Sequence, residues 1–282
     1  MKLSQLVTKV GLGILFAIAM QNANAQTEKG FYASIQSGYS HGTGYADLYQ
    51  SAAFGIGNSN QISATTSTSE LVAVNLGKGL NFGGILGYNF TKNIGFELGG
   101  NYLIGSKINS ASTSYTGNYT NTETSAKMLQ IMPSLVFRVG LDKIDPYAKV
   151  GMVIGVGKIT TSLNDKRGSD ITSEIFVLDG GTPIGFRASI GTLYRLNTKL
   201  SLFGELNLIG LEYAPKNGIS TASTINGIDQ LPTKTVQDKE IEFVESYTEN
   251  GDPSNPNEPS KSPIVAFSFN SVGLNIGLQY HF

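Results

Sequence analysis

Several features that define other protein classes are missing from this sequence of 282 residues. It has no cysteine, which excludes a disulfide framework, a thiolate metal site, a thiol nucleophile and an acylated amino-terminal cysteine. Lys and Arg (20) nearly balance Asp and Glu (21), so the basic excess typical of nucleic-acid binding is absent. No apolar run reaches the ~20 residues of a membrane-spanning helix. Shorter patterns must therefore define the fold.

The amino terminus has the pattern of a secretory signal peptide. A lysine-bearing start precedes an apolar run from Val10 to Met20, and the small-x-small site Ala23–Ala25 follows it. We therefore expect residues 1–25 to be removed on export. The mature chain, residues 26–282, has a length compatible with one domain.

The carboxyl-terminal stretch has the clearest strand pattern. Apolar and polar or small side chains alternate there with a period of two, which is the β-strand repeat. The apolar face carries Val272, Leu274, Ile276, Leu278, Tyr280 and Phe282, and the other face carries Gly273, Asn275, Gly277, Gln279 and His281. We expect this strand to pair with one that begins near Phe31. Taken alone, it fits a soluble sandwich as well as a membrane barrel.

Seven further segments alternate in the same way, at residues 30–39, 80–90, 94–106, 128–139, 146–161, 184–195 and 200–213. Short turns lie at one end, and four long polar loops lie at the other, at about residues 40–79, 107–127, 162–181 and 214–262. Bacterial outer-membrane barrels have this asymmetry. We predict an all-β, antiparallel, up-and-down transmembrane β-barrel of eight strands. A ten-stranded barrel is the alternative if residues 71–76 or 239–247 also pair in the membrane.

Glycine is abundant, with 34 residues, and falls mainly on the polar faces of these strands. Repeated glycine on a solvated face weakens a strand, whereas the narrow interior of an eight-stranded barrel accepts small side chains. We therefore assign the polar faces to the lumen and the apolar faces to lipid. Tryptophan is absent, so other aromatic residues are expected to form the interfacial girdle: Phe31, Tyr88, Phe90, Tyr194, Tyr280 and Phe282.

With these patterns the chain resembles the eight-stranded outer-membrane barrels of the OmpA/OmpX type, along all of its mature length. The most specific element is the terminal strand, which resembles the signal that the barrel assembly machinery reads, at Leu274, Ile276, Leu278, Tyr280 and Phe282. The resemblance implies a monomer in the outer membrane of a Gram-negative bacterium, surrounded by lipid. OmpA-type proteins often carry a peptidoglycan-binding domain after the barrel. No such domain follows here, so peptidoglycan anchoring is not expected.

Five charged residues fall on lumen-facing positions: Glu97, Arg138, Lys149, Arg187 and Glu205. Because an unpaired charge is costly away from water, acids and bases inside a narrow barrel are expected to pair. One interpretation is that they only fill the lumen. The other, implied by the resemblance, is an interior ionic network that blocks or gates a water path. Which acid pairs with which base depends on the strand register, and the sequence does not determine it.

The remaining motifs of the sequence do not predict a catalytic, phosphate-binding or calcium-binding site. His41 is expected beside the first long loop and His281 at the opposite end, which gives no support for a catalytic triad. Residues 151–158 depart from a phosphate-binding loop, and the proline-interrupted residues 252–259 depart from a calcium loop. We expect no catalytic site, cofactor or metal. A lipid-modifying barrel enzyme is kept as a formal alternative.

The long loops are therefore the expected functional parts. Their Ser-, Thr- and Asn-rich surface predicts a structural or adhesin-like role toward an extracellular ligand or host surface. The runner-up is a narrow ion or small-solute channel governed by the interior charges. Nucleic acid is not an expected partner, because the chain is nearly neutral.

Overall fold

The computed structural model describes residues 29–44, 58–70, 72, 74–248 and 255–282, so the predicted signal peptide lies outside the described residues. Helical structure in this part is limited to a 3-10 turn (Leu231–Thr233) and one short helix, α1 (Val236–Lys239). Neither segment has the length or the apolar character that spanning a membrane requires.

The strands are β1 (Gly30–Gly42), β2 (Asn58–Gln61), β3 (Ser67–Glu70), β4 (Gly79–Asn89), β5 (Ile94–Gly105), β6 (Ile108–Thr113), β7 (Tyr119–Arg138), β8 (Ile144–Arg167), β9 (Asp170–Asp179), β10 (Ile184–Arg195), β11 (Leu200–Gly210), β12 (Glu212–Tyr213), β13 (Asn217–Ile225), β14 (Ile228–Asp229), β15 (Glu240–Val244), β16 (Ser260–Pro263), β17 (Phe267–Ser268) and β18 (Ser271–His281).

Eight strands of the described chain pair into a closed antiparallel ring. Their order is β1, β4, β5, β7, β8, β10, β11 and β18, and β18 returns to β1 with Ile35 opposite Leu278. The expected pairing of the terminal strand with β1 is thereby confirmed. Residues 240–244 form β15, which pairs with β13 and β16 outside the ring. The described residues among 71–76 lie in no strand. The barrel therefore has eight strands rather than ten.

Burial alternates along the barrel strands and separates two faces. On β18, Asn275 and Gln279 are buried in the lumen, whereas Leu274 and Ile276 are exposed on the outside. The same alternation runs along β11, where Leu206 is exposed between buried polar neighbours. The exposed apolar faces form the band that contacts lipid, as expected for a transmembrane barrel.

Aromatic side chains gather on the outer surface at the end that bears the short turns. The ring centroids of Phe31 and Tyr88 lie 4.7 Å apart, and those of Tyr88 and Phe90 lie 5.5 Å apart. On the neighbouring strand, the rings of Tyr280 and Phe282 are 5.4 Å apart. Five of the six predicted girdle residues thus stand in two aromatic groups, one of three rings and one of two. Their position fits the aromatic girdle of a membrane interface.

Strands β7 and β8, with 20 and 24 residues, continue past the barrel at the end with the long connections. There β8 also pairs with β9, β9 pairs with β13, and β13 pairs with β15, which produces what we call the outer sheet. The sequence predicted polar loops at residues 107–127 and 162–181, and the structure differs. Threonine is frequent in residues 107–127 and has a high strand propensity without providing an apolar face, whereas residues 162–181 owe their strand to the β-branched and aromatic run Ile175–Val177. Thr124 and Thr161, for example, face each other with their hydroxyl oxygens 3.2 Å apart.

The long connections also fold inward and close that end of the lumen. They contribute buried apolar side chains, among them Leu211, Phe243, Phe267 and Phe269, which pack on inward residues of the barrel strands. We call this cluster the apolar cap. Its members are Leu76, Leu103, Ala126, Met128, Met132, Val153, Ile159, Leu178, Ile209, Leu211, Tyr213, Phe243, Phe267 and Phe269.

Candidate functional site

Four of the five predicted lumen charges meet near the middle of the barrel. The Nζ atom of Lys149 lies 2.8 Å from Oε2 of Glu97 and 2.8 Å from Oε2 of Glu205. The guanidinium of Arg187 donates to Oε1 of Glu205. Two acids and two bases therefore form one neutral group, which we call the ionic cluster.

The ionic cluster crosses the lumen and links strands that are not neighbours. Glu97 comes from β5 and Lys149 from β8, with β7 between them, and Glu205 comes from β11, with β10 between it and β8. Both carboxylates are only 1% exposed. Because these charges have lost their water, removal of one partner is expected to cost about 3–5 kcal/mol of folding free energy. Loss of any one partner is therefore expected to destabilise the folded barrel.

Two tyrosines that the sequence reasoning did not single out complete the cluster. The Tyr32 hydroxyl donates to Oε1 of Glu97 at 2.8 Å, and the Tyr147 hydroxyl donates to Oε2 of Glu205 at 3.1 Å. Both tyrosines occupy lumen positions in the alternation of their strands, and this alternation is the sequence signal that could have identified them. Arg138, the fifth predicted charge, contacts the cluster only through Tyr32. Its guanidinium carbon lies 4.8 Å from the centre of the Tyr32 ring, and it forms no ion pair with a described residue.

Inward glycines provide the space that these rings occupy. Gly87 is the register partner of Tyr32, and a Cβ atom on Gly87 would collide with the tyrosine ring. Gly191 stands in the same relation to Tyr147. By contrast, a Cβ on Gly100 would meet no atom within 4 Å. At the positions opposite the rings, glycine is therefore a steric requirement of the narrow lumen.

A layer of buried amides separates the ionic cluster from the apolar cap. Within it, Nδ2 of Asn101 donates to Oε1 of Gln130 at 2.9 Å. A cavity of about 10 Å³, room for about one water, is lined by Arg187 and by amides of this layer. The members of the layer are Gln36, Asn81, Asn101, Gln130, Asn207 and Asn275.

Tyr213 fixes the apolar cap to the barrel wall. Its backbone pairs with Phe267 between β12 and β17, and its ring centroid lies 6.0 Å from that of Phe269. Its hydroxyl oxygen is 3.0 Å from the carbonyl oxygen of Gly157 and 2.8 Å from that of Gly180. A single hydroxyl proton thus has two part-buried acceptors, one on β8 and one just after β9. Sequence reasoning missed the cap because its aromatic residues lie within or beside polar loop segments.

The remaining sequence motifs do not assemble into a site. His41 is the register partner of Val272 at the end with the long connections, whereas His281 is the partner of Tyr32 at the opposite end. Residues 151–158 lie within β8, and part of the acidic segment 252–259 lies outside the described residues. Among the described residues, no group of three or more His, Cys, Asp or Glu side chains is placed to hold a metal ion.

Comparison with known families agrees with this architecture. The family described as "Outer membrane protein beta-barrel domain" matches residues 10–228. The chain has no match among curated protein sequences.

Three solved outer-membrane proteins illustrate the structural similarity. Neisserial surface protein A shares 10% identity, with 90% of this chain and 99% of that chain covered, at a TM-score of 0.39. OprG from Pseudomonas aeruginosa shares 14% identity, with 92% and 99% covered, at a TM-score of 0.41. Ail, the attachment invasion locus protein of Yersinia pestis, shares 9% identity, with 92% and 100% covered, at a TM-score of 0.32.

Proposed function

The chain belongs to the outer membrane protein β-barrel family, and from this premise we propose that it is a structural and surface-interaction protein of the bacterial outer membrane. In such barrels the short turns face the periplasm and the long connections face outside. The outer sheet then projects from the cell, where it contacts an extracellular ligand or a host surface. Lipid surrounds the barrel itself.

The observation that carries the proposal is the filled lumen. Three layers follow one another along the barrel axis: the ionic cluster, the buried amides and the apolar cap. Transport of ions or solutes requires a continuous hydrated path, and an apolar layer opposes the passage of ions because they lose their hydration there. The interior therefore supports a structural role more than the runner-up, a narrow channel gated by the ionic cluster.

The outer sheet provides the second line of support. Strand pairing, with one register shift between Ser220 and Ala222 of β13, and the apolar cap hold it against the barrel. At the β13–β14 hairpin, Asn226 and Gly227 form the turn with positive φ angles of 53° and 81°. Ile225 and Ile228 flank this turn and are 42% and 67% exposed. Apolar side chains exposed on an ordered hairpin are available for contact with another macromolecule.

An enzymatic role has less support. The two histidines stand at opposite ends of the barrel. The side chain within hydrogen-bonding distance of His281 is the amide of Gln279, which is neither a nucleophile nor an orienting acid. We therefore propose a protein without catalytic activity. A lipid-modifying enzyme would alter the lipid A of a strain that expresses the chain, and mass spectrometry of that lipid detects such a change.

Two further proposals concern biogenesis. We infer that residues 1–25 are removed during export, which the mass of the purified mature protein tests. We also infer that the barrel assembly machinery reads the outward face of β18. The exposure of Leu274 and Ile276 on that face supports this, because outward side chains are accessible to a partner during insertion. The complete proposed signal is Leu274, Ile276, Leu278, Tyr280 and Phe282.

Replacement of the hairpin at residues 217–229 by a short Gly-Ser linker tests the surface role. Bacteria that display the wild-type chain are expected to bind components of an array of glycans and matrix proteins that the parent strain does not bind. The variant is expected to lose this binding. A matched variant with the linker in place of residues 58–70 controls for loop shortening, and heat-modifiable gel migration verifies that both barrels fold. Unchanged binding by the 217–229 variant contradicts the proposal.

A further inference from the structure

On the outer surface of β7 and β8, apolar side chains give way to lysine at one level. Leu129 and Val156 are register partners, and both are exposed on the lipid-facing side. Two residues farther toward the outer sheet, Lys127 stands directly opposite Lys158. The next outward pair carries hydroxyl side chains. Lys127 and Lys158, which we call the lysine pair, therefore mark the border between the apolar band and the polar outer sheet.

The surroundings of the lysine pair leave a net positive charge at this border. Nζ of Lys158 lies 3.0 Å from a carboxylate oxygen of Asp179, and Nζ of Lys107, between β5 and β6, lies 2.8 Å from Glu123. Lys127 forms no ion pair with any described residue. Like charges directly opposite each other on paired strands are destabilising. Asp179 offsets the charge of Lys158 only, so an anion that contacts Lys127 supplies the missing counter-charge of the pair.

We propose that the lysine pair binds a phosphate group of an outer-leaflet lipid. The acyl chains of that lipid contact the apolar band beneath, including Leu129 and Val156, and its phosphate reaches the level of the two lysines. Ammonium groups form short, charge-assisted hydrogen bonds with phosphate oxygens, and basic clusters next to an apolar surface recognise anionic headgroups. The phosphorylated glycolipid that covers Gram-negative cells has this combination of chains and phosphates. The site is independent of which partner the outer sheet contacts.

Titration of refolded protein in uncharged detergent micelles with diphosphoryl lipid A tests the proposal. The rise in the thermal unfolding midpoint, followed by far-UV circular dichroism, gives the apparent affinity. The double variant Lys127→Gln/Lys158→Gln is expected to bind about 10- to 30-fold more weakly, because each lysine near an anionic headgroup contributes about a fivefold factor. Lys127→Gln alone, which leaves the ion pair of Lys158 intact, is expected to lose about fivefold.

Controls separate this site from general charge and from free phosphate. Lys166→Gln/Lys261→Gln removes two lysines of the outer sheet away from the apolar band, and is expected to bind like the wild type. Inorganic phosphate at the same concentration and dephosphorylated lipid A are expected to give no saturable shift. The proposal is overturned if the wild type shows no shift with diphosphoryl lipid A or if the double variant keeps wild-type affinity. A full shift with inorganic phosphate or with the dephosphorylated lipid also overturns it.

Discussion

Replacement of Lys149 by methionine removes the ammonium group that bridges two carboxylates while it keeps an unbranched side chain in place. Glu205 keeps Arg187 as a cationic partner, but Glu97 keeps only the hydroxyl of Tyr32. A buried carboxylate that has lost its counter-ion is strongly destabilising. We expect the free energy of unfolding to fall by about 3–5 kcal/mol.

The chain offers a matched control for this substitution. Lys107 and Glu123 are joined by an ion pair of the same 2.8 Å length, but their side chains are 65% and 42% exposed. Lys107→Met is expected to cost no more than ~1 kcal/mol, because water and salt screen an exposed pair. The double variant Lys149→Met/Glu97→Gln removes both charges of the Lys149–Glu97 pair. Its free energy of unfolding is expected to be about 2 kcal/mol higher than that of Lys149→Met.

Denaturant unfolding of refolded protein in zwitterionic vesicles measures these differences. The chain contains no tryptophan, so far-UV circular dichroism and heat-modifiable gel migration are the suitable signals. The reasoning is refuted if Lys149→Met costs no more than Lys107→Met. It is also refuted if the double variant is less stable than Lys149→Met, because the unpaired charge would then not be the cause of the loss.

Three further predictions address the lumen, the cap and assembly. Gly87→Ala forces a methyl group into the ring of Tyr32 and is expected to lower the free energy of unfolding by about 1–3 kcal/mol. Gly100→Ala is the control, because a methyl group there meets open space, and its free energy of unfolding is expected to stay near that of the wild type in the same assay. Tyr213→Phe removes a donor shared by two part-buried carbonyls, and is expected to cost about 1–2 kcal/mol and to speed proteolysis of the outer sheet. Unchanged proteolysis contradicts the anchoring role. Deletion of Phe282 is expected to reduce the fraction of chains that migrate as folded barrel in outer-membrane extracts, and an unchanged fraction argues against the assembly signal.

The barrel was predictable because the membrane imposes a simple selection on the sequence. Lipid accepts apolar side chains at every second position, so the faces of β18 could be assigned before any pairing was known, as Leu274 outside and Asn275 inside illustrate. The members of the ionic cluster followed from the same alternation. Their pairing could not be predicted, because the contact between Glu97 and Lys149 depends on how strands separated by β7 are staggered around the ring.

The outer sheet and the apolar cap were not predictable by the same route. Beyond the membrane no lipid enforces alternation, and threonine-rich strand extensions such as the one around Thr124 have the composition of loops. The cap is assembled from single apolar residues in distant connections, among them Phe243 and Phe269, and each is unremarkable in its local context. Only the folded arrangement brings them together.

Single-channel recording across planar lipid bilayers that contain the refolded chain tests the filled lumen most directly. Because the lumen is filled, no conductance steps above the protein-free baseline are expected, either for the wild type or for Glu205→Ala. Reproducible steps in the wild type, with an amplitude that changes on Glu205→Ala, would contradict the account and identify the ionic cluster as the gate of a channel.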